Sequence, residues 1–227
     1  EPQAETSTKN SEVVRVKGEK KRLGRLKLPP LYPAQAEAIE GSERYGIIEA
    51  STKSGKTLGC IIWLLHEAHR TGRTGRIYWW VAPIFSQARI AYRRMKLGLT
   101  KADGTTGYIR ANDGELSIIL HNNARIAFKG ADNPDSLYGE DVYAAVIDEA
   151  SRMKEEAWIA VRSTLTATEG PVRIIGNVKG KKNWAYRLAR RAELGEPNWK
   201  YSKLTAFDAV GGGVLTNAEI EDARATL

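Results

Sequence analysis

The feature that most limits the folds open to this chain is the run Ala50-Ser51-Thr52-Lys53-Ser54-Gly55-Lys56-Thr57, set between an apolar stretch, Gly46 to Glu49, and a helix-like stretch, Leu58 to Leu65. Strand, loop and helix in that order are the setting a phosphate-binding P-loop requires. The backbone N–H groups of such a loop and the helix N-terminus converge on phosphate. Lys56 adds a point charge there, and the Thr57 hydroxyl can ligate Mg2+. The sequence therefore predicts a nucleoside triphosphate site made by Ser51, Thr52, Lys53, Ser54, Gly55, Lys56 and Thr57. The full pattern opens with Gly, whereas Ala50 stands there; a small residue can still turn. The competing reading is a Gly-Lys-Thr that only opens a helix, since Gly and Thr are ordinary near caps.

A chain of 227 residues with 42% hydrophobic content can bury a full core as one domain. No apolar run approaches the roughly 20 residues of a membrane span, and Glu1 to Glu5 lacks a signal peptide's apolar core. A soluble, non-secreted chain without a membrane role is expected. Cys60 lies in the apolar helix after the loop and offers no disulfide. His66, His69 and His121 come without the cysteines or the spacing of a zinc site. The net charge of +8 points to a polyanionic partner. Its clusters are Lys17 to Lys27, Arg89 to Lys96 and Lys179 to Arg191, and solvated helix faces explain any one of them equally well.

Residues 1–28 read as a flexible basic arm, 29–210 as the P-loop domain, and 211–227 as a hinge, Gly211-Gly212-Gly213, with the start of a further helix at the capping-box spacing Thr216 to Glu219. Strands are predicted over Tyr45 to Glu49, Arg76 to Ala82, Val142 to Ile147, Val172 to Gly176 and Trp199 to Leu204. Helices are predicted over Ala34 to Ile39, Lys56 to Arg70, Gln87 to Leu97, Lys154 to Leu165 and Trp184 to Leu194. Their alternation predicts an α/β fold with a mainly parallel sheet covered by helices on both faces. Leu116 to Leu120 and Ala124 to Phe128 flank His121-Asn122-Asn123 and predict a hairpin with an Asn-based turn.

Val142 to Glu149 is an apolar run ending in two carboxylates, the pattern of a Walker B strand. A buried parallel strand would aim Asp148 from its carboxyl end toward the P-loop, to hold Mg2+ together with Thr57, and leave Glu149 in reach of an attacking water. The alternative is a carboxylate pair that caps the next helix. Upstream, Gln35 in Leu31-Tyr32-Pro33-Ala34-Gln35 carries an amide able to read the N6 and N7 edges of adenine, although a surface Gln is the commoner case. Gly176-Asn177 ends another strand where a polar group can sense the gamma-phosphate, or simply turns.

Together these residues resemble the ATPase domain of the large terminase subunit of tailed bacteriophages. The resemblance runs from about Leu31 onward. It rests most on Phe128 to Gly139, Asp148-Glu149-Ala150, Trp158, Gly176 to Gly180, Asn183-Trp184, and the strand-end segment Ala82 to Ala88. It implies an ASCE or RecA-like P-loop fold, ATP and Mg2+ as cofactors, and catalysis by Lys56, Asp148 and Glu149, with coupling through Gly176 and Asn177. It also implies double-stranded DNA, the portal protein and the small terminase subunit as partners. Copies would form a homo-oligomeric ring on the portal, monomeric when isolated, in the host bacterial cytoplasm. Three positions depart from the family pattern. Thr52-Lys53 stands where relatives carry a loop arginine, Tyr138 where Leu-Arg-Gly supplies a proposed arginine finger, and Gly176-Asn177-Val178 where Ser-Thr-Pro is usual. Lys53, Arg152 and Arg162 are the candidate substitutes, and each could equally be a surface residue. The family's nuclease domain has no counterpart in this stretch. The rival readings are a helicase-like translocase and a nucleotide-regulated DNA or portal-binding module without turnover.

Overall fold

The computed structural model describes residues 29–177 and 180–225, so the expected arm, residues 1–28, and Val178 and Lys179 of the coupling segment lie outside the described residues. In chain order the elements are α1 (Pro33–Ile39), β1 (Tyr45–Ala50), α2 (Lys56–Arg70), β2 (Ile77–Ala82), α3 (Phe85–Gly98), β3 (Tyr108–Asn112), β4 (Ser117–Leu120) and β5 (Arg125–Gly130). They continue with β6 (Val142–Asp148), α4 (Glu155–Thr164), β7 (Val172–Gly176), α5 (Trp184–Glu193), β8 (Trp199–Leu204), α6 (Ala206–Gly211) and α7 (Asn217–Ala225).

One sheet joins all eight strands in the order β3-β4-β5-β2-β6-β7-β1-β8. From β5 to β8 every pairing is parallel, and only β4 runs against its neighbours. Parallel strands need helical crossovers, and these cover both faces. Successive side chains therefore enter different cores. Ile48, Trp80, Val146 and Phe128 pack under α1, α2 and α3. Ile47, Trp79, Ile147 and Ile174 pack under α4 and α5 with Trp158 and Trp184. The adjacent Trp79 and Trp80 are both fully buried, one on each face.

The predicted hairpin is β4 with β5, turned at Asn123 with φ 64°. The Asn122 side chain ties that turn to the end of α2 by donating to the Ala68 carbonyl at 2.8 Å. Two elements have no counterpart in the sequence reading. One is β3, whose Tyr-Ile-Arg-Ala-Asn is largely exposed and lacks alternation. The other is α6, too short for a helical period to register. The glycines read as a hinge lie at the end of α6, where Gly212 donates to the Asp208 carbonyl and Gly213 to that of Val210.

Helix α1 is fastened to the sheet by a buried cation. Arg173, in the middle of β7, donates to the carbonyls of Ile39 at 2.7 Å, Gly41 at 2.9 Å and Glu43 at 3.2 Å, and lies over the Trp63 ring. Gly46 on β1 gives it room, since a Cβ there would stand 2.7 Å from its Cδ. Replacing Arg173 by Met leaves those carbonyls without their donor. The expected loss is about 3 kcal/mol, read as a lower urea midpoint at unchanged m. An unchanged midpoint would mean that α1 is held by packing alone.

Candidate functional site

The register of the central strands brings the predicted site together. β7 lies between β1 and β6, pairing Glu49 with Gly176 and Asp148 with Ile175. The loop after β1, the acidic pair after β6 and Gly176-Asn177 after β7 therefore share one edge of the sheet. In open α/β folds ligands bind at that carboxyl edge.

Ala50 is the last residue of β1, buried and paired with Leu204, and its φ is negative. No glycine is needed there, which explains why the first position of the motif tolerates Ala. The left-handed turns fall later, at Lys53 with φ 64° and Gly55 with φ 78°, the latter at the N-terminus of α2. Thr52 and Lys53 are exposed at the tip, Ser54 and Lys56 are buried, and Ser51, Gly55 and Thr57 are half-buried. The Ser54 hydroxyl is buried without a hydrogen-bond partner among the described residues.

Across the loop, Lys56 Nζ lies 3.4 Å from Glu149 Oε1. Asp148 ends β6 with Oδ1 buried and without a hydrogen bond. Burial, reinforced by the neighbouring Glu149, pushes its carboxyl up to about 6 despite Lys56. Glu149 has φ 52°, a left-handed conformation in a side-chain-bearing residue, which costs on the order of 1–3 kcal/mol. Such strain concentrates at functional sites. Gly176, with φ 148°, lies against this turn, and a Cβ there would stand 3.1 Å from Glu149 Cα. The turn is also tied to the coupling segment, because Ser151 Oγ donates to the Asn177 carbonyl at 2.6 Å and Asn183 Nδ2 to the Ser151 carbonyl at 2.8 Å.

Gln35 is buried in α1 with Nε2 donating to the Gly55 carbonyl at 2.7 Å, and Tyr32 Oη donates to the Ser54 carbonyl at 2.6 Å. Both touch the loop, and only Gln35 stands out in the sequence. The finger candidates diverge. Lys53 is exposed on the loop, and Arg152, three residues beyond Glu149, lines a cavity of about 230 Å³ with Gln87, Asp132 and Lys154. Arg162 bonds Thr166 at 3.1 Å and lies over the ring of Tyr45, the first residue of β1. That is the opposite end of the strand from the loop, about 17 Å away, so Arg162 does not face its own site.

Among the described residues no group of three or more His, Cys, Asp and Glu side chains could hold a metal. Mg2+ takes one or two carboxylates, keeps waters and draws its other oxygens from substrate phosphates. The orphaned Asp148 oxygen and the Thr57 hydroxyl are hard donors of that kind.

A family model described as terminase large subunit, T4likevirus-type, N-terminal, matches residues 47–226. The PBSX phage terminase large subunit of Bacillus subtilis (strain 168) is 34% identical over 101 residues, covering 43% of this chain and 22% of that protein. The chain spans less than a third of the length of the curated relatives it matches. Among solved structures, the large terminase ATPase domain of Thermus phage P74-26 is similar with a TM-score of 0.67 at 19% identity, covering 81% of this chain and 84% of that one. The large terminase of a thermophilic bacteriophage, in complex with ATP-gamma-S, gives a TM-score of 0.67 at 15% identity, covering 86% of this chain and 49% of that one. The mainly parallel sheet with helices on both faces is thus the expected ASCE-type P-loop fold.

The orphaned Asp148 has a consequence for stability. Its folded pKa lies above its unfolded value, so the folded chain binds the extra proton and loses stability as pH rises from about 4 to about 6. Above that range the full cost is present. In metal-free buffer, Asp148→Asn should raise stability at pH 8 by about 2 kcal/mol, with the gain fading toward pH 4. Urea midpoints of the two proteins at both pH values read this, and a pH-independent difference would place the cost elsewhere.

Proposed function

This chain belongs to the terminase large-subunit family, and we propose that its P-loop site hydrolyses ATP and that turnover drives double-stranded viral DNA into a procapsid. The observation that carries the reading is the 3.4 Å approach of Lys56 to Glu149 beside the orphaned Asp148 oxygen. It supports reading Lys56 as the phosphate-binding cation, Asp148 as the metal-holding carboxylate and Glu149 as the base at one end of the sheet. The similar terminase from a thermophilic bacteriophage has been solved with ATP-gamma-S, which supports the choice of nucleotide.

The loop amides and Lys56 hold the beta and gamma phosphates. Thr57 and Asp148 are the residues that would hold Mg2+, which supplies charge neutralisation on the transferred phosphoryl group when bound. Once Lys56 turns to phosphate, the Glu149 carboxylate is free to accept the proton of the attacking water. Gln35 keeps one amide proton and its carbonyl after bonding Gly55, the pair that adenine N7 and N6 require. Gly176 and Asn177 touch the Glu149 turn through backbone contacts, so a change at the gamma-phosphate reaches the segment after β7. Lys53 and Arg152 remain candidates for adding positive charge within the chain, whereas Arg162, at the far end of β1, would have to act on a neighbouring copy.

The family membership supports a ring of copies on the portal, formed in the host cytoplasm with the small terminase subunit. The net charge of +8 supports contact with DNA. Binding to double-stranded DNA should weaken steeply as salt rises, and a flat response would return the basic clusters to solvated surface. Glu149→Gln should lower phosphate release by about 10²–10⁴-fold while ATP affinity stays within a few-fold. Wild-type turnover in that variant would remove Glu149 as the base. Absence of turnover in the wild-type chain, with and without DNA and portal, would favour a nucleotide-regulated binding module.

A further inference from the structure

We propose that Tyr32 is a positioning residue for the P-loop, fixing the peptide between Ser54 and Gly55 for phosphate and passing that peptide's orientation to α6 and α7 through Gly212. The inference rests on the nucleotide reading of the loop. Its starting point is that a peptide unit is planar, with its C=O and N–H opposed. The Ser54 carbonyl and the Gly55 N–H belong to one such unit, and the Gly55 carbonyl and Lys56 N–H to the next. Tyr32 holds the first carbonyl at 2.6 Å and Gln35 the second at 2.7 Å. The Gly55 carbonyl also accepts from Gly59 N–H at 3.0 Å as the first bond of α2, so the helix itself sets the Lys56 N–H. The Ser54 carbonyl, by contrast, is drawn toward α1 by Tyr32 and turns the Gly55 N–H the other way, the arrangement a bound phosphate uses. Neither contact is forced by the motif, because both donors come from residues some twenty positions upstream.

The far side of the Tyr32 ring is covered by the end of α6. A Cβ at Gly212 would stand 2.4 Å from Tyr32 Cγ and 2.6 Å from Cδ1, so only glycine lets the backbone lie on the ring. The beginning of α6 is tied to the loop as well. Ser51 N–H donates to the Leu204 carbonyl at 2.9 Å, and Thr205, the next residue, caps α6 in a complete box with Asp208. Helix α6 is therefore fixed at its start through Ser51 and at its end through Tyr32. Beyond it, Gly213 takes φ 70° and donates to the Val210 carbonyl, while Val214 donates to that of Ala209. This hydrogen-bonded turn leads directly into α7, whose Ile220 is buried. A shift of the Ser54 peptide thus moves Tyr32, and Tyr32 cannot move without displacing the Gly212 backbone. The raised pKa of Tyr32, due to burial and then to Asp208 of α6, is consistent with that closeness.

The test compares wild type, Tyr32→Phe and Gly212→Ala by calorimetric ADP affinity, by amide exchange over residues 206–225 with and without saturating ADP, and by thermal midpoint. Tyr32→Phe keeps the ring on Gly212 and removes only the hydroxyl. It should bind ADP about 5–10-fold more weakly, lower its midpoint only by the loss of one buried hydrogen bond while remaining folded, and lose the slowing of exchange in α6 and α7 that ADP produces in the wild type. Gly212→Ala, which touches no loop atom, should also weaken ADP binding by pushing the ring off Ser54. Wild-type affinity and wild-type protection in Tyr32→Phe would overturn the proposal, as would unaltered exchange over 206–225 when the wild type binds ADP. A wild-type chain that binds no ADP would instead overturn the nucleotide reading itself.

Discussion

The parallel pairing of β7 between β1 and β6 is the constraint on which the rest of the site depends. It alone sets the ends of three strands side by side, with Glu49 level with Gly176 and Asp148 level with Ile175. A register shift of one residue on β6 would turn Asp148 to the other face, because side chains alternate. The two cores guard against that, since Val146 and Ile147 of β6 would have to exchange sides. Core packing and site geometry are thus enforced by the same alternation.

Within that frame the site stores unfavourable features. Asp148 is half-buried with its Oδ1 enclosed and without a partner among the described residues, and Glu149 sits in a left-handed turn next to a glycine that no other residue could replace without strain. Neither feature helps the fold. Under the proposed function both have a use, since a phosphate and a metal ion would give the Asp148 carboxylate its counter-ion and draw Lys56 away from Glu149. Ser151 and Asn183 hold the acidic turn against the segment after β7.

Much of this was legible in the residues. The P-loop and the acidic strand end are contiguous motifs, and contiguity is what a sequence shows directly. The hairpin was legible because Asn tolerates the positive φ found at Asn123. Less was legible where the signal is weak or distributed. β3 is an exposed edge strand without alternation, and α6 spans fewer than two helical turns. Arg162 lies thirteen residues after Glu149 in the chain, yet α4 runs back along the sheet and carries it to the far end of β1. Tyr32 and Arg173 gave no motif at all, since their partners are backbone carbonyls distant in sequence.

The sequence by itself determined the element alternation, the loop with the P-loop pattern and the paired carboxylates, because period and local chemistry are written in neighbouring residues. Only the tertiary structure decided which carbonyls Tyr32, Gln35 and Arg173 hold, which end of the sheet Arg162 faces, and that Gly212 packs on the Tyr32 ring. Those outcomes depend on strand order and helix direction, which arise from burying two apolar faces at once and cannot be read from any single stretch of chain.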